Sequence, residues 1–146
     1  MLAIGSDHAG FDLKQKLISL FDDLNIEYKD YGTYTADSCD YPIIAHKVGQ
    51  AVSSGQVDKG VLVCGSGIGV SIAANKIRGV RATLCYEPEL AALARKHNDA
   101  NVVCLGSRFT DFETAKKIID VFLHTDFENG RHLRRVEQIE KVEKSV

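Results

Sequence analysis

Long apolar runs are missing from this sequence. None approaches the roughly 20 residues that a bilayer-spanning helix requires, so no membrane partner is expected. An excess of one charge is missing too. Eighteen Lys and Arg stand against 20 Asp and Glu, a formal net charge of -2, so no whole-protein field draws the chain to nucleic acid. The first residues, M-L-A-I-G-S-D-H, hold neither a basic segment nor a signal-peptide core, so a cytoplasmic location is expected. The four cysteines, at 39, 64, 85 and 104, form no C-x-x-C pair and are expected to be reduced thiols. The five histidines form no H-x-x-x-H or H-E-x-x-H pattern, so no metal site is expected. No repeat, low-complexity tract or linker interrupts the 146 residues, which fit one domain, 1–146, able to bury a core.

What is present is alternation. Short apolar segments at 2–5, 26–30, 60–64, 80–86 and 101–106 read as strands, and V-L-V-C and V-V-C-L are apolar without a break, as strands covered on both faces are. Between them run helical stripes: Leu13, Leu17, Leu20, Phe21 and Leu24, then Ile44, Val48, Ala51 and Val52. Pro88 opens a third helix, with Glu87 and Glu89 at its start and Arg95, Lys96 and His97 at its end, which complements the helix dipole. Thr110-Asp-Phe-Glu113 reads as a capping box opening a fourth, with Ile118, Ile119 and Phe122. After Asn129-Gly130 a charged tail carries Leu133, Val136, Ile139 and Val142 every three residues, a last helix whose stripe must dock on its own domain or on another subunit. The pattern predicts a doubly wound α/β domain.

In such folds the C-terminal ends of the strands carry the site, and Asp7-His8, Cys64 and Glu87 fall there. Cys64 leads into Gly65-Ser66-Gly67-Ile68-Gly69. A dinucleotide fingerprint fails because Val70 stands where its third glycine belongs, and no G-K-[S/T] is present for a phosphate loop. Two readings remain. Cys64 is a small buried hydrophobe ending a strand. Alternatively, the turn's amides and the helix behind it form an oxyanion hole beside an activated thiol. Other residues divide in the same way. Asp7-His8 caps a helix or serves a site, and His97 is a dipole partner or an acid–base group. Arg131 and Arg135, at i and i+4, are a solvated basic end or a clamp for a dianionic phosphate.

Six segments in order resemble the type B ribose-5-phosphate isomerases, the family that includes the galactose-6-phosphate isomerase subunits. They are G-S-D-H-A-G-F at 5–11, D-Y-P at 40–42, V-C-G-S-G-I-G-V-S-I-A-A-N-K at 63–76, H-N-D-A-N at 97–101, L-G-S-R at 105–108 and G-R-H-L-R-R-V at 130–136. The resemblance implies a Rossmann-like three-layer sandwich with a five-stranded parallel sheet and a C-terminal helix. It implies a homodimer, or a tetramer of paired dimers, with the site shared between subunits. The activity implied is aldose–ketose isomerisation of ribose 5-phosphate and ribulose 5-phosphate, without metal or organic cofactor. By position, Cys64 matches the family's base, and Ser66 with the amides of Gly65, Gly67, Ile68 and Gly69 matches the enediolate-holding group. Asp7 and His97 match the ring-opening residues, and Tyr41 and Asn98 line the sugar. His8, Arg131 and Arg135 match the phosphate contacts, and the tail arginines, with His97 or Asn98, are expected to serve the neighbouring subunit. Some relatives carry Thr at Ser66, which keeps the hydroxyl. A branch using a downstream Glu as base is excluded by Val-Ser-Ile-Ala at 70–73. Alternatives are a hexose 6-phosphate isomerase (allose or galactose 6-phosphate) and a sugar-phosphate-binding module without catalysis.

Overall fold

Strands that are apolar without a break need cover on both faces, and the fold supplies it. The computed structural model describes residues 1–146. Its strands are β1 (Leu2–Ser6), β2 (Tyr28–Asp30), β3 (Lys59–Cys64), β4 (Ala82–Leu84) and β5 (Val102–Gly106). They form one parallel sheet in the order β2-β1-β3-β5-β4. The helices are α1 (Phe11–Asp23), α2 (Tyr41–Ser53), α3 (Ile68–Ala74), α4 (Pro88–Asn98), α5 (Phe112–His124) and α6 (Arg131–Lys144).

Alternate strand residues divide the core in two. Leu2, Ile4, Val61, Val63, Val103 and Leu105 pack against α1, α4 and α5 through Leu17, Phe21, Ala91, Ala94, Ile118 and Phe122. Ala3, Leu62, Cys64, Val102 and Cys104 face α2 and α3 through Ala45, Val48, Val70 and Ala74. This is the expected three-layer sandwich.

Three expectations need revision. β4 is three residues rather than 80–86, because side-chain amides take over its entry. Asn75 brackets Ala82 with bonds to its N–H and C=O, and Asn101 does the same between Gly79 and Arg81. β2 starts at Tyr28 because the Ile26 N–H is tied back to Phe21 at the end of α1. The cap of α5 is Asp111, not Thr110: the Asp111 carboxylate accepts the Thr114 N–H at 2.8 Å.

The tail stripe divides. Val136 is buried in its own chain, whereas Leu133, Ile139 and Val142 stay exposed. They join Ile68 and Ile72 on α3, Tyr86, and Leu90 and Leu93 on α4 among the exposed apolar side chains.

The sheet order also sets the place for ligands. From β1 the chain moves outward to β2, then crosses back to β3 on the other side of β1. The C-terminal ends of β1 and β3 therefore flank the topological switch point, where open α/β sheets bind ligands. Those ends are followed by Asp7-His8 and terminated by Cys64.

Candidate active site

Strand pairing brings these residues together. The Asp7 N–H donates to the Val63 carbonyl at 3.2 Å, and Cys64 lies opposite Gly106. Past Cys64 the glycine turn reverses the chain, with Gly67 at φ 78°, a conformation that favours glycine. The Gly67 N–H donates to Cys64 Sγ at 3.1 Å, and the Ile68 N–H donates to Ser66 Oγ at 3.1 Å. Two of the turn's amides thus serve the site's own side chains. The N–H groups of Gly65 and Ser66 in the turn, and of Gly69 and Val70 in the first turn of α3, find no acceptor in the chain and are free donors.

Crowding holds the turn from four sides. A Cβ on Gly106 would collide with the Ser66 backbone, and one on Gly67 would stand 2.6 Å from the Leu84 side chain. One on Gly69 would stand 2.7 Å from the Tyr41 ring, so the ring that opens α2 lies against the turn. One on Gly65 would stand 3.1 Å from the Arg108 guanidinium. Tyr86 reaches over from the end of β4 and donates to the Ser66 carbonyl at 2.8 Å.

Cys64 is buried with a trace of exposure, 4%, while Cys85 and Cys104 are sealed at 0%. Burial pushes the Cys104 thiol well up, and the neighbouring Cys64 and Cys85 add to it. Cys85 is raised mainly by burial. Both remain thiols.

Asp7 braces the turn that leads into α1, its Oδ1 accepting the N–H of the N-cap residue Gly10 at 3.0 Å, which leaves Oδ2 uncommitted. The turn and site readings of this residue are therefore compatible. His8 is exposed, and its Nδ1 accepts the Cys39 N–H at 3.2 Å. That bond puts the proton of the neutral ring on Nε2. Lys14, fully buried, secures the loop behind His8. Its Nζ contacts both Asp30 oxygens, at 2.6 and 2.7 Å, and the Thr33 carbonyl at 2.7 Å, while the Thr33 N–H bonds to Ser6.

The remaining expected residues lie at the other end of the sheet. Helices return antiparallel to the strands, so α4 ends beside the strand starts. The Asn98 carbonyl accepts from Arg81, which precedes β4. β5 alone, about 13 Å long at the usual rise per residue, separates this edge from Cys64. His97 and Asn98 therefore do not meet Cys64 within one chain. Instead the His97 ring stacks on His132 of α6, with centroids 4.2 Å apart and planes at 12°. Arg95, buried, steadies this corner through Asp99, the Ala100 carbonyl and the Thr125 carbonyl. Arg131 and Arg135 sit one turn apart on α6, both exposed and neither in an ion pair. The His132 imidazole titrates below the usual range, chiefly from burial, with help from His97 and Arg131. A cleft of ≈ 640 Å³ runs beneath the C-terminal half of α6 past Asn98, Arg78 and Arg81, and holds no part of the Cys64 turn.

Two residues of the Cys64 end escaped the reading of the sequence. Arg108 belongs to the quoted L-G-S-R, where a cation just beyond a strand end was the available signal. Tyr86 carried no signal, since its role arises from the turn it touches.

Comparison with known proteins agrees with this architecture. A family model described as Ribose/Galactose Isomerase matches residues 2–139. Ribose-5-phosphate isomerase B of Escherichia coli is 46% identical over 97% of this chain and 95% of its own. The solved ribose-5-phosphate isomerase B of Clostridium thermocellum superposes with a TM-score of 0.97 at 42% identity, covering 99% of this chain and 97% of that one. That of Mycoplasma genitalium, solved with bound ribulose 5-phosphate, gives 0.95 at 41%, over 99% and 97%. The chain belongs to the ribose/galactose isomerase family.

Proposed function

We propose that this chain interconverts D-ribose 5-phosphate and D-ribulose 5-phosphate through an enediolate, with Cys64 as the base. We further propose that it works in the cytoplasm as a homodimer whose subunits complete one another's sites. The observation that carries the chemistry is the Cys64 thiol at the switch point, with the Gly67 N–H on its sulfur at 3.1 Å. Such a bond strengthens when the acceptor is charged. Family membership and the ribulose 5-phosphate found in the Mycoplasma genitalium relative support the substrate.

Asp7 and His97 of the partner subunit open the furanose ring by moving a proton between the hydroxyl and the ring oxygen, with Tyr41 and the partner's Asn98 lining the sugar. Cys64 then removes the proton from carbon 2. The nascent oxyanion takes hydrogen bonds from the Ser66 hydroxyl, whose oxygen already accepts the Ile68 N–H, and from the free Gly69 amide. The same sulfur returns the proton to carbon 1, while the hydroxyl proton of oxygen 2 passes to oxygen 1, leaving the carbonyl at carbon 2. The phosphate, remote from the reacting carbons, lies between His8, Arg108 and the partner's Arg131 and Arg135, and its binding fixes the carbons' orientation.

The separation of the two ends supports the dimer. One edge holds a base with no ring-opening histidine, and the other holds a histidine and two unpaired arginines with no base. A two-fold arrangement sets the first edge of each copy against the second edge of the other, making two equal sites. The exposed apolar residues of α3, α4 and α6 supply the contact.

Solvent-proton exchange into ribose 5-phosphate, with and without Cys64, tests the base. Exchange that survives Cys64→Ala overturns the assignment. Comparing kcat/KM for ribose 5-phosphate with allose and galactose 6-phosphates tests the sugar, and preference for a hexose would overturn the pentose reading.

A further inference from the structure

Folding gathers a group that the spacing of histidines along the chain conceals. His97, at the end of α4, meets His132 on the first turn of α6, and Glu128 stands one turn before His132. One ligand atom from each of the three, two imidazole nitrogens and a carboxylate oxygen, lies within 4.8 Å of the others. His132 Nε2 and Glu128 Oε2 are 4.0 Å apart. The Glu128 N–H donates to the Lys96 carbonyl at 3.1 Å, which fixes the loop against α4. Glu128 is exposed, His97 half-buried and His132 buried, so the group opens to solvent on its carboxylate side.

We propose that His97, Glu128 and His132 form a reversible binding site for a divalent transition-metal ion of the zinc class, and that occupancy inhibits the isomerase by taking His97 out of ring opening. Two imidazoles and a carboxylate are a ligand set that zinc accepts, with a fourth position left for water. Two nitrogens on one tetrahedral zinc stand about 3.3 Å apart at ordinary zinc–nitrogen lengths. The three atoms therefore need to close by no more than about 1.5 Å, given that spacing and their present limit of 4.8 Å. The imidazole planes are nearly parallel at 12°, so one ring must tilt and give up its stacking for both lone pairs to reach one ion. Arg131 and Arg135 put positive charge beside His132. That charge opposes a cation, which makes the site a reversible one rather than a permanent structural centre. The free enzyme uses no metal in this scheme: the ion competes with the sugar for His97.

The metal site rests on geometry alone, whereas the inhibition rests on the ring-opening role proposed for His97. The test separates the two. Full-length protein is titrated with zinc chloride by calorimetry and with cobalt chloride by visible absorption, and ribose 5-phosphate turnover is measured at the same zinc concentrations. Glu128→Gln keeps the shape of the side chain, lies outside the residues assigned to catalysis, and leaves metal-free turnover unchanged. It weakens zinc binding by at least the roughly tenfold that loss of an outer-shell partner already brings, and it shifts the inhibition curve by the same factor. A chelator restores the parent's activity. Equal zinc affinity in parent and variant, or a thiolate-to-cobalt charge-transfer band indicating cysteine ligands, would overturn the site. Zinc binding that Glu128→Gln weakens, without inhibition of the parent, would overturn the inhibitory role and count against His97 in ring opening. It would leave Cys64 as base untouched.

Discussion

The two ends of the sheet are built on opposite plans. At the C-terminal end, the reactive groups are held by backbone and crowding. Cys64 and Ser66 each accept an amide, Asp7 braces the turn into α1, and the glycine turn is hemmed in by Gly106, Leu84, Tyr41 and Arg108. At the N-terminal end they ride on the ends of α4 and α6, and the arginines reach into solvent unpaired. A rigid site needs no reorganisation at the moment of proton transfer, which is where preorganised donors act most strongly. Long cations lose rotamer freedom when they grip a ligand, so they suit capture rather than chemistry. The proposed division of labour follows that difference.

The largest effect should come from the rigid end. Cys64→Ala is expected to lower kcat by roughly 10²–10⁴, the usual contribution of a positioned base, while inorganic phosphate still binds by calorimetry. Loss of phosphate binding as well would move Cys64 from chemistry to folding.

Next comes the flexible end. The double variant Arg131→Ala, Arg135→Ala should raise KM for ribose 5-phosphate by roughly 100-fold or more, given the worth of charge-assisted hydrogen bonds, with a smaller change in kcat. Mixing it with Cys64→Ala under conditions of subunit exchange should recover about a quarter of parental activity, because half the random dimers are hybrids with one intact site of two. No recovery would place both ends' functions in one chain.

Lys14→Met sharpens the comparison, since it loosens the loop behind His8 without touching the site. Unfolding in urea should show a loss of up to about 3 kcal/mol, the lower end for breaking a buried pair because Asp30 keeps some contact with water. A charge on the tail stripe probes assembly in turn. Leu133→Lys should shift sedimentation toward the monomer and lower specific activity at low protein concentration.

The smallest effect belongs to α5, away from both ends. The bond from the Thr114 N–H holds the Asp111 carboxyl below the usual carboxylate range. A depressed pKa means that the stabilisation is fully present above that range and is lost as pH falls through the folded value. Asp111→Ala should therefore lower Tm slightly at neutral pH, and the gap from the parent should close in acid.

The rigid end was the more legible in the sequence. V-L-V-C ending in a glycine turn, and D-H after the first strand, fix their own surroundings through local backbone rules, so their positions could be read directly. The flexible end could not be read that way. His97 and His132 are far apart in the chain, and their stacking depends on how α6 folds back on α4. The length of β4 is hidden from the sequence for a related reason: Asn75 and Asn101 compete for its backbone from elsewhere in the chain. Arg108 was visible as a residue, but its place over Gly65 is a tertiary fact.

The crowding of the glycine turn bears on which sequences the fold can accept. In a library randomised at every position, Gly67 and Gly106 should be vacant of alternatives, excluded by neighbouring backbone, with Gly67 excluded by its φ as well. Gly65 should behave differently, because the atom nearest its missing methyl belongs to a guanidinium that can swing away. Alanine there should survive selection for folding and fail selection for growth on the pentose, separating the two requirements at a single codon.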